Sequence, residues 1–147
     1  MLYIHEIEYH LPNDPVGNDQ IASNNPEWDL DQIIDRSGVH YRYYAKQNET
    51  ALDISLDACM KLLSSNGFNK NEIDGLIFCT QSNDYIMPPN SSILHGKLEL
   101  SEQVLAFDIN LACSGFIYGL ALANGLFESK IAKNILLVNA DTYSKYI

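Results

Sequence analysis

Basic residues are scarce and come late. Lys and Arg number 9 against 19 Asp and Glu, the formal net charge is −10, and Arg36 is the first of either cation. Such a balance repels a phosphate backbone and an anionic lipid surface, which excludes general nucleic-acid binding and electrostatic membrane docking. Cysteine is sparse as well. Cys59, Cys79 and Cys113 are odd in number, widely spaced and without a CxxC pair, so neither a disulfide framework nor a zinc site is indicated. No apolar run approaches the roughly 18 residues that span a bilayer. The opening MLYIHEIEYH lacks the positive end and apolar stretch of a secretion signal, and the chain is expected in the cytoplasm. Internal repeats and low-complexity tracts are also missing. What remains is one unit of 147 residues with 46% hydrophobic content, enough for a packed core.

Within that unit two hydrophobic periods alternate, separated by turn residues. Residues 2–10 read as a strand running into a loop at Leu11-Pro12-Asn13-Asp14-Pro15. Asn25-Pro26 is expected to open a short helix, with Leu30, Ile33 and Ile34 as its apolar stripe and an end near Ser37-Gly38. Val39, Tyr41 and Tyr43 alternate with His40, Arg42 and Tyr44, as in a strand or hairpin with one wet face. Thr50 and Asp53 form a capping-box pattern for a helix that buries Leu52, Leu56, Cys59 and Leu63 and ends near Asn66-Gly67. Leu76-Ile77-Phe78-Cys79 is continuous and apolar, the mark of a strand covered on both faces. After the loop from Gln81 to Asn90, residues 91–98 predict a short helix and 104–109 a second buried strand. Residues 113–127 carry no charge and predict a helix hidden on nearly all sides; 135–138 predict a further buried strand. Buried strands alternating with helices predict an α/β fold around a mixed, mostly parallel sheet with helices on both faces.

One cysteine stands where chemistry is favoured. Phe107-Asp108-Ile109-Asn110-Leu111-Ala112-Cys113-Ser114-Gly115-Phe116 places Cys113 between a buried strand and a buried helix. Unpaired amides of a first helical turn, with the positive end of the helix dipole, stabilise thiolates in general. The small neighbours Ala112, Ser114 and Gly115 leave room for a substrate, and the same amides suit an oxyanion. A small buried hydrophobe is the competing reading of Cys113.

The segment Ala112-Cys113-Ser114-Gly115-Phe116, followed by Ala-Leu-Ala-Asn-Gly and the strand Asn-Ile-Leu-Leu-Val, resembles the nucleophile region of 3-oxoacyl-[acyl-carrier-protein] synthase III, a thiolase-like condensing enzyme. Asp35-Arg36-Ser37-Gly38-Val39, Asn48-Glu49-Thr50 and Asp74-Gly75-Leu76-Ile77 resemble further motifs of that family in the same order. The resemblance implies a thiolase-like N-terminal half over residues 1–147. It implies a Claisen condensation in which Cys113 takes an acyl group from acyl-CoA and passes it to malonyl-acyl carrier protein. It implies that Arg36 binds the phosphate end of CoA, and that Met87 reaches across a homodimer interface toward the neighbouring acyl pocket. No cofactor beyond the CoA thioester substrate, and no metal, is expected. Trp28 is displaced from the family's adenine-stacking position, eight residues before Arg36 rather than four, which favours a packing role. Cys59 and Cys79 are expected in the core, and His5, His10, His40 and His95 match no catalytic position.

Further expectations concern charge and completeness. Arg36, His40, Arg42 and Lys46 fall close together and offer either a basic docking edge for an acidic carrier protein or a solvated strand face. The residues through Ile147 correspond to about half the family's length, and the family's assisting His and Asn belong to its second half. The isolated chain is therefore expected to be incomplete for condensation. Phe116, Ile117, Leu120 or their neighbours are expected to face water, and association with a second-half chain or another copy is expected. Gly115, Gly119 and Gly125 would permit close helix approach. Two alternatives stay open: a same-fold acyltransferase to a hydroxyl or amine, and a non-catalytic half-domain used for association.

Overall fold

The computed structural model describes residues 2–12, 14–65 and 69–146. Its centre is a parallel three-stranded sheet of β3 (Gly75–Cys79), β4 (Leu105–Ile109) and β5 (Ile135–Asn139), in the order β4-β3-β5. Leu76 lies opposite Ala106 on one side and Leu136 on the other. Every residue of β3 is buried, which explains its unbroken apolar sequence. Strand β4 is an edge, and its Leu105 is exposed.

Parallel neighbours need crossover helices, and the chain supplies them as α4 (Asn90–Lys97) and α5 (Gly115–Glu128). On one face Leu76, Phe78, Leu136 and Val138 form a core with Leu94 of α4 and with Leu52 and Cys59 of α3 (Ala51–Ser64). Residues one step out of phase point to the other face, where Cys79 and Leu137 meet α5 at Gly115 and Gly119. Alanine-sized Cβ atoms there would lie 2.3 Å from Cys79 Sγ and 2.6 Å from Leu137 Cδ1, so the two glycines let α5 settle onto the sheet. The close approach is thus between helix and sheet within the chain. Gly125, by contrast, has open space around it.

Helix α3 begins as its sequence requires. Thr50 Oγ1 accepts from the Asp53 amide at 3.2 Å, and Asp53 Oδ2 accepts from the Thr50 amide at 3.0 Å. The expected end at Asn66-Gly67 lies outside the described residues. A separate two-stranded antiparallel ribbon pairs β1 (Val16–Gly17) with β2 (Tyr41–Arg42), around α1 (Asn18–Asn24) and α2 (Leu30–Ser37). Gly38 ends α2 with φ of 67°, a left-handed conformation suited to glycine.

Several expectations are corrected. Residues 2–10 form no strand; they join no ladder, and Tyr3, Ile4, Ile7 and Tyr9 are exposed. Side chains of α3 and of its C-cap hold the segment instead: Lys61 Nζ donates to the Tyr9 carbonyl at 3.3 Å, and Ser65 Oγ donates to Glu6 at 3.2 Å. An apolar, β-branched run alone cannot make a strand without a hydrogen-bonding neighbour. Asn25-Pro26 closes α1 rather than opening α2, because the Asn25 amide and side chain both donate to the Ile21 carbonyl. Helix α2 starts after Asp29, whose Oδ1 accepts from the Gln32 amide at 3.0 Å. The 39–44 strand shrinks to Tyr41–Arg42. Strand β4 is only half-buried rather than fully so, as an edge strand must be. Helix α5 is not hidden on nearly all sides: it buries Gly115, Gly119 and Ala123 on the sheet and exposes Phe116, Ile117, Tyr118 and Leu122 at 44%, 64%, 57% and 42%. Leu120 is half-buried. An uncharged helix read as all-round core therefore has one buried stripe of small residues and one exposed face of large ones.

Candidate active site

The C-terminal ends of the three parallel strands converge, the end at which open α/β sheets characteristically bind ligands. The Thr80 amide donates to the Ile109 carbonyl and the Ala140 amide to the Cys79 carbonyl, both at 3.1 Å, so the segments leaving β3, β4 and β5 stay together. Cys113 lies in the turn between β4 and α5, one residue before the N-cap Ser114. The Gly115 amide closes that turn onto the Ala112 carbonyl at 2.8 Å. Ala112, Cys113 and Ser114 are all exposed, which overturns the reading of Cys113 as a buried hydrophobe.

Helix geometry leaves the first-turn amides of α5 without intrahelical partners, and the amides of Cys113 and Ser114 donate to no group among the described residues. These donors, with the positive helix end, suit a carbonyl oxygen that gains negative charge in front of the helix. The Gly115 amide is already committed to Ala112 and does not serve there. The other two cysteines are unsuited to nucleophilic work. Burial pushes the Cys59 thiol up to about 12. Burial also raises Cys79, a backbone hydrogen bond with Leu111 partly offsets that rise, and the Asp141 charge adds to it.

Three carboxylates brace the strand ends. Asp108 of β4 accepts from the Asn90 and Ser91 amides at 2.9 and 2.8 Å, capping α4 from a neighbouring strand, and from the Asn83 side chain at 3.3 Å. Asp84 accepts from the Asn90 side chain at 3.1 Å and from the Leu52 amide at 3.3 Å, tying the 81–89 loop to α3 and α4. Asp141 Oδ1 accepts from Thr80 Oγ1, the Gln81 amide and Ser82 Oγ at 3.1, 2.7 and 3.0 Å. None of the three was singled out as a site residue by sequence reasoning. Asp108 carried one usable signal, a charge inside an otherwise apolar strand; the rest are long-range contacts.

The other candidates lie at the surface. Arg36 is exposed in the last turn of α2, and Met87 is 83% exposed on the 81–89 loop. No hydrogen bond or ion pair among the described residues joins Cys113, Arg36 and Met87. Arg42 is half-buried and donates to the Asn18 side chain, so the group of Arg36, His40, Arg42 and Lys46 is not four free charges. Trp28 is 46% exposed, and its backbone amide donates to the Asn25 carbonyl. His10 Nε2 lies 3.6 Å from Asp57, and His95 Nε2 is hydrogen-bonded to the Ser101 carbonyl at 2.9 Å.

Comparison with known proteins shows what the chain is similar to. The family profile of 3-oxoacyl-[acyl-carrier-protein (ACP)] synthase III matches residues 107–147, the stretch holding β4, Cys113, α5 and β5. A beta-ketoacyl-[acyl-carrier-protein] synthase III of Neisseria meningitidis is 35% identical over 141 residues, covering 94% of this chain and 43% of that protein. The chain is similar to the N-terminal half of synthase III. A crystal structure of a 3-oxoacyl-(acyl-carrier-protein) synthase III superposes with a TM-score of 0.89 at 39% identity, over 97% of this chain and 42% of that one. The enzyme of that name from Pseudomonas aeruginosa superposes with a TM-score of 0.82 at 31% identity, over 95% and 42%. The architecture is therefore the thiolase-like α/β fold of synthase III, and the chain spans less than half the length of these relatives. Among the described residues no helix is long and apolar enough to cross a membrane.

Proposed function

We propose that this chain is the nucleophile-bearing part of a synthase III-type condensing enzyme and that Cys113 accepts the acyl group. The observation that carries this reading is the exposed Cys113 in a turn opening onto the N-terminus of α5, within the stretch matched by the synthase III profile. The Cys113 thiolate attacks the carbonyl of an acyl-CoA thioester. Negative charge passes to the carbonyl oxygen and is stabilised by backbone amides of the turn. Collapse forms the Cys113 thioester, and CoA leaves as a thiolate that takes up a proton. In the second step malonyl-carrier protein releases CO2, and the resulting carbanion attacks the Cys113 thioester to give a 3-oxoacyl product and expel the Cys113 thiolate for the next cycle.

In this reading Arg36 binds the phosphate groups of CoA, for which an exposed guanidinium is suited. Met87 contributes to the acyl pocket of a partner copy in a homodimer, and no cofactor beyond the thioester substrate is required. These 147 residues carry the acyl-accepting step, and condensation requires groups beyond them. Mass spectrometry after incubation with acetyl-CoA tests the proposal. A single acetyl adduct mapped to Cys113 and lost in Cys113→Ala is expected. An unmodified protein, or an adduct that survives Cys113→Ala, overturns it.

A further inference from the structure

Beneath the turn that carries Cys113 lies a second sulfur with no part in the proposed chemistry. Cys79, at the end of β3, is 4% exposed. Its Sγ lies 3.5 Å from the Leu111 carbonyl, two residues before Cys113. The same Sγ lies 2.3 Å from where a Cβ on Gly115 would stand, two residues after Cys113. One side chain on the central strand thus touches the turn on both sides of the exposed thiol. Burial keeps the Cys79 thiol protonated, as it must be to donate to a carbonyl. Leu111 and Gly115 are also in mutual contact range, since Leu111 Cβ lies 3.4 Å from the same Gly115 position.

We propose that Cys79 is a positioning residue for the Cys113 turn, acting through its hydrogen bond to Leu111 and its contact with Gly115. The bearing of this on acyl transfer rests on the reading of Cys113 as acyl acceptor. The strand end serves as a fixed floor: β3 is the most buried strand, hydrogen-bonded on both sides, whereas the turn itself is exposed. A thiol that must meet a thioester carbonyl within a few tenths of an ångström gains from such a floor, since a misplacement of about 1 Å can cost roughly 10²-fold in rate.

The test compares wild type, Cys79→Ala and Cys79→Ser by two readouts, amide hydrogen exchange of peptides covering 110–115 and acetyl transfer from acetyl-CoA to Cys113. In Cys79→Ala, exchange of the Gly115 amide, the hydrogen-bonded one in the turn, should rise about tenfold while β5 is unchanged, and acetyl transfer should fall about tenfold or more. Cys79→Ser, which restores a donor toward the Leu111 carbonyl, should recover most of both losses. Unchanged exchange, or exchange raised evenly through β3, β4 and β5, overturns the proposal and leaves Cys79 an ordinary core residue. If wild type takes no acetyl group, the acyl-acceptor reading fails, and the exchange pattern still decides the positioning role. Should Cys79→Ala not fold, Gly115→Ala presses on the same contact from the other side, and its exchange must rise at the same amide for the proposal to stand.

Discussion

Substituting Gly115 by alanine places a methyl carbon 2.3 Å from Cys79 Sγ, about 1.3 to 1.5 Å short of ordinary contact. The overlap cannot be absorbed cheaply, because Sγ is only two bonds from the backbone of a buried strand and the helix start is held by the Ala112 hydrogen bond. Either Cys79 leaves its rotamer and its bond to Leu111, or the first turn of α5 lifts from the sheet. Overpacking of this kind costs about 1 to 3 kcal/mol. The gain from removing a glycine is at most about 1 kcal/mol in a helix interior and smaller at the first helical position. A net loss of about 1 to 2 kcal/mol is expected by urea denaturation. The decisive comparison is the double variant Gly115→Ala with Cys79→Ala. Without sulfur, the nearest Cys79 atom is its Cβ at 3.8 Å, an ordinary contact. The double variant should therefore be more stable than the sum of the single losses predicts by about 1 to 2 kcal/mol. Additive losses would refute the packing of α5 on Cys79.

Other predictions follow from the same structure. Asp108→Ala uncaps α4 at two amides and should cost about 1 to 2 kcal/mol in chemical denaturation, with Asp108→Asn recovering part of it. Asp141→Ala leaves the buried hydroxyls of Thr80 and Ser82 without their shared acceptor, and about 2 to 4 kcal/mol of lost stability should appear in the same assay. The Cys59 thiol, raised to about 12 when folded from an ordinary 9.0, binds its proton more tightly in the native state. Its contribution to stability is intact below pH 9.0 and is lost as pH rises toward 12, so Tm measured across that range should fall more steeply in wild type than in Cys59→Ala. Iodoacetamide at neutral pH should label Cys113 in the folded protein and reach Cys59 and Cys79 only after denaturation.

Local chemistry explains what was legible in the sequence. Thr50 and Asp53 satisfy each other's backbone within one turn, and Gly38 supplies a left-handed end; both are written in short windows. The unbroken apolar run of β3 reads correctly because a central strand is buried on both faces. Reasoning failed where the outcome depends on distant partners. Residues 2–10 have a strand's apolar, β-branched character, yet they join no ladder and lie against α3 instead. Helix α5 looks buried all round because its sequence is apolar throughout, but only its glycine and alanine stripe meets the sheet. For the site, Cys113 stood out by its strand-to-helix position and flanking small residues. Cys79 looked like plain core, and its contact with the turn exists only once β3 and α5 are stacked.

The central claim is that backbone dipoles and the fold make the Cys113 sulfur an acyl acceptor. The most direct measurement is the rate constant for acetyl transfer from acetyl-CoA to Cys113, set beside that of free N-acetylcysteine under the same conditions. A rate constant about 10² or more above that of the free thiol is expected, a gain of the size that oriented oxyanion donors supply. Equal rate constants for the two thiols would contradict it.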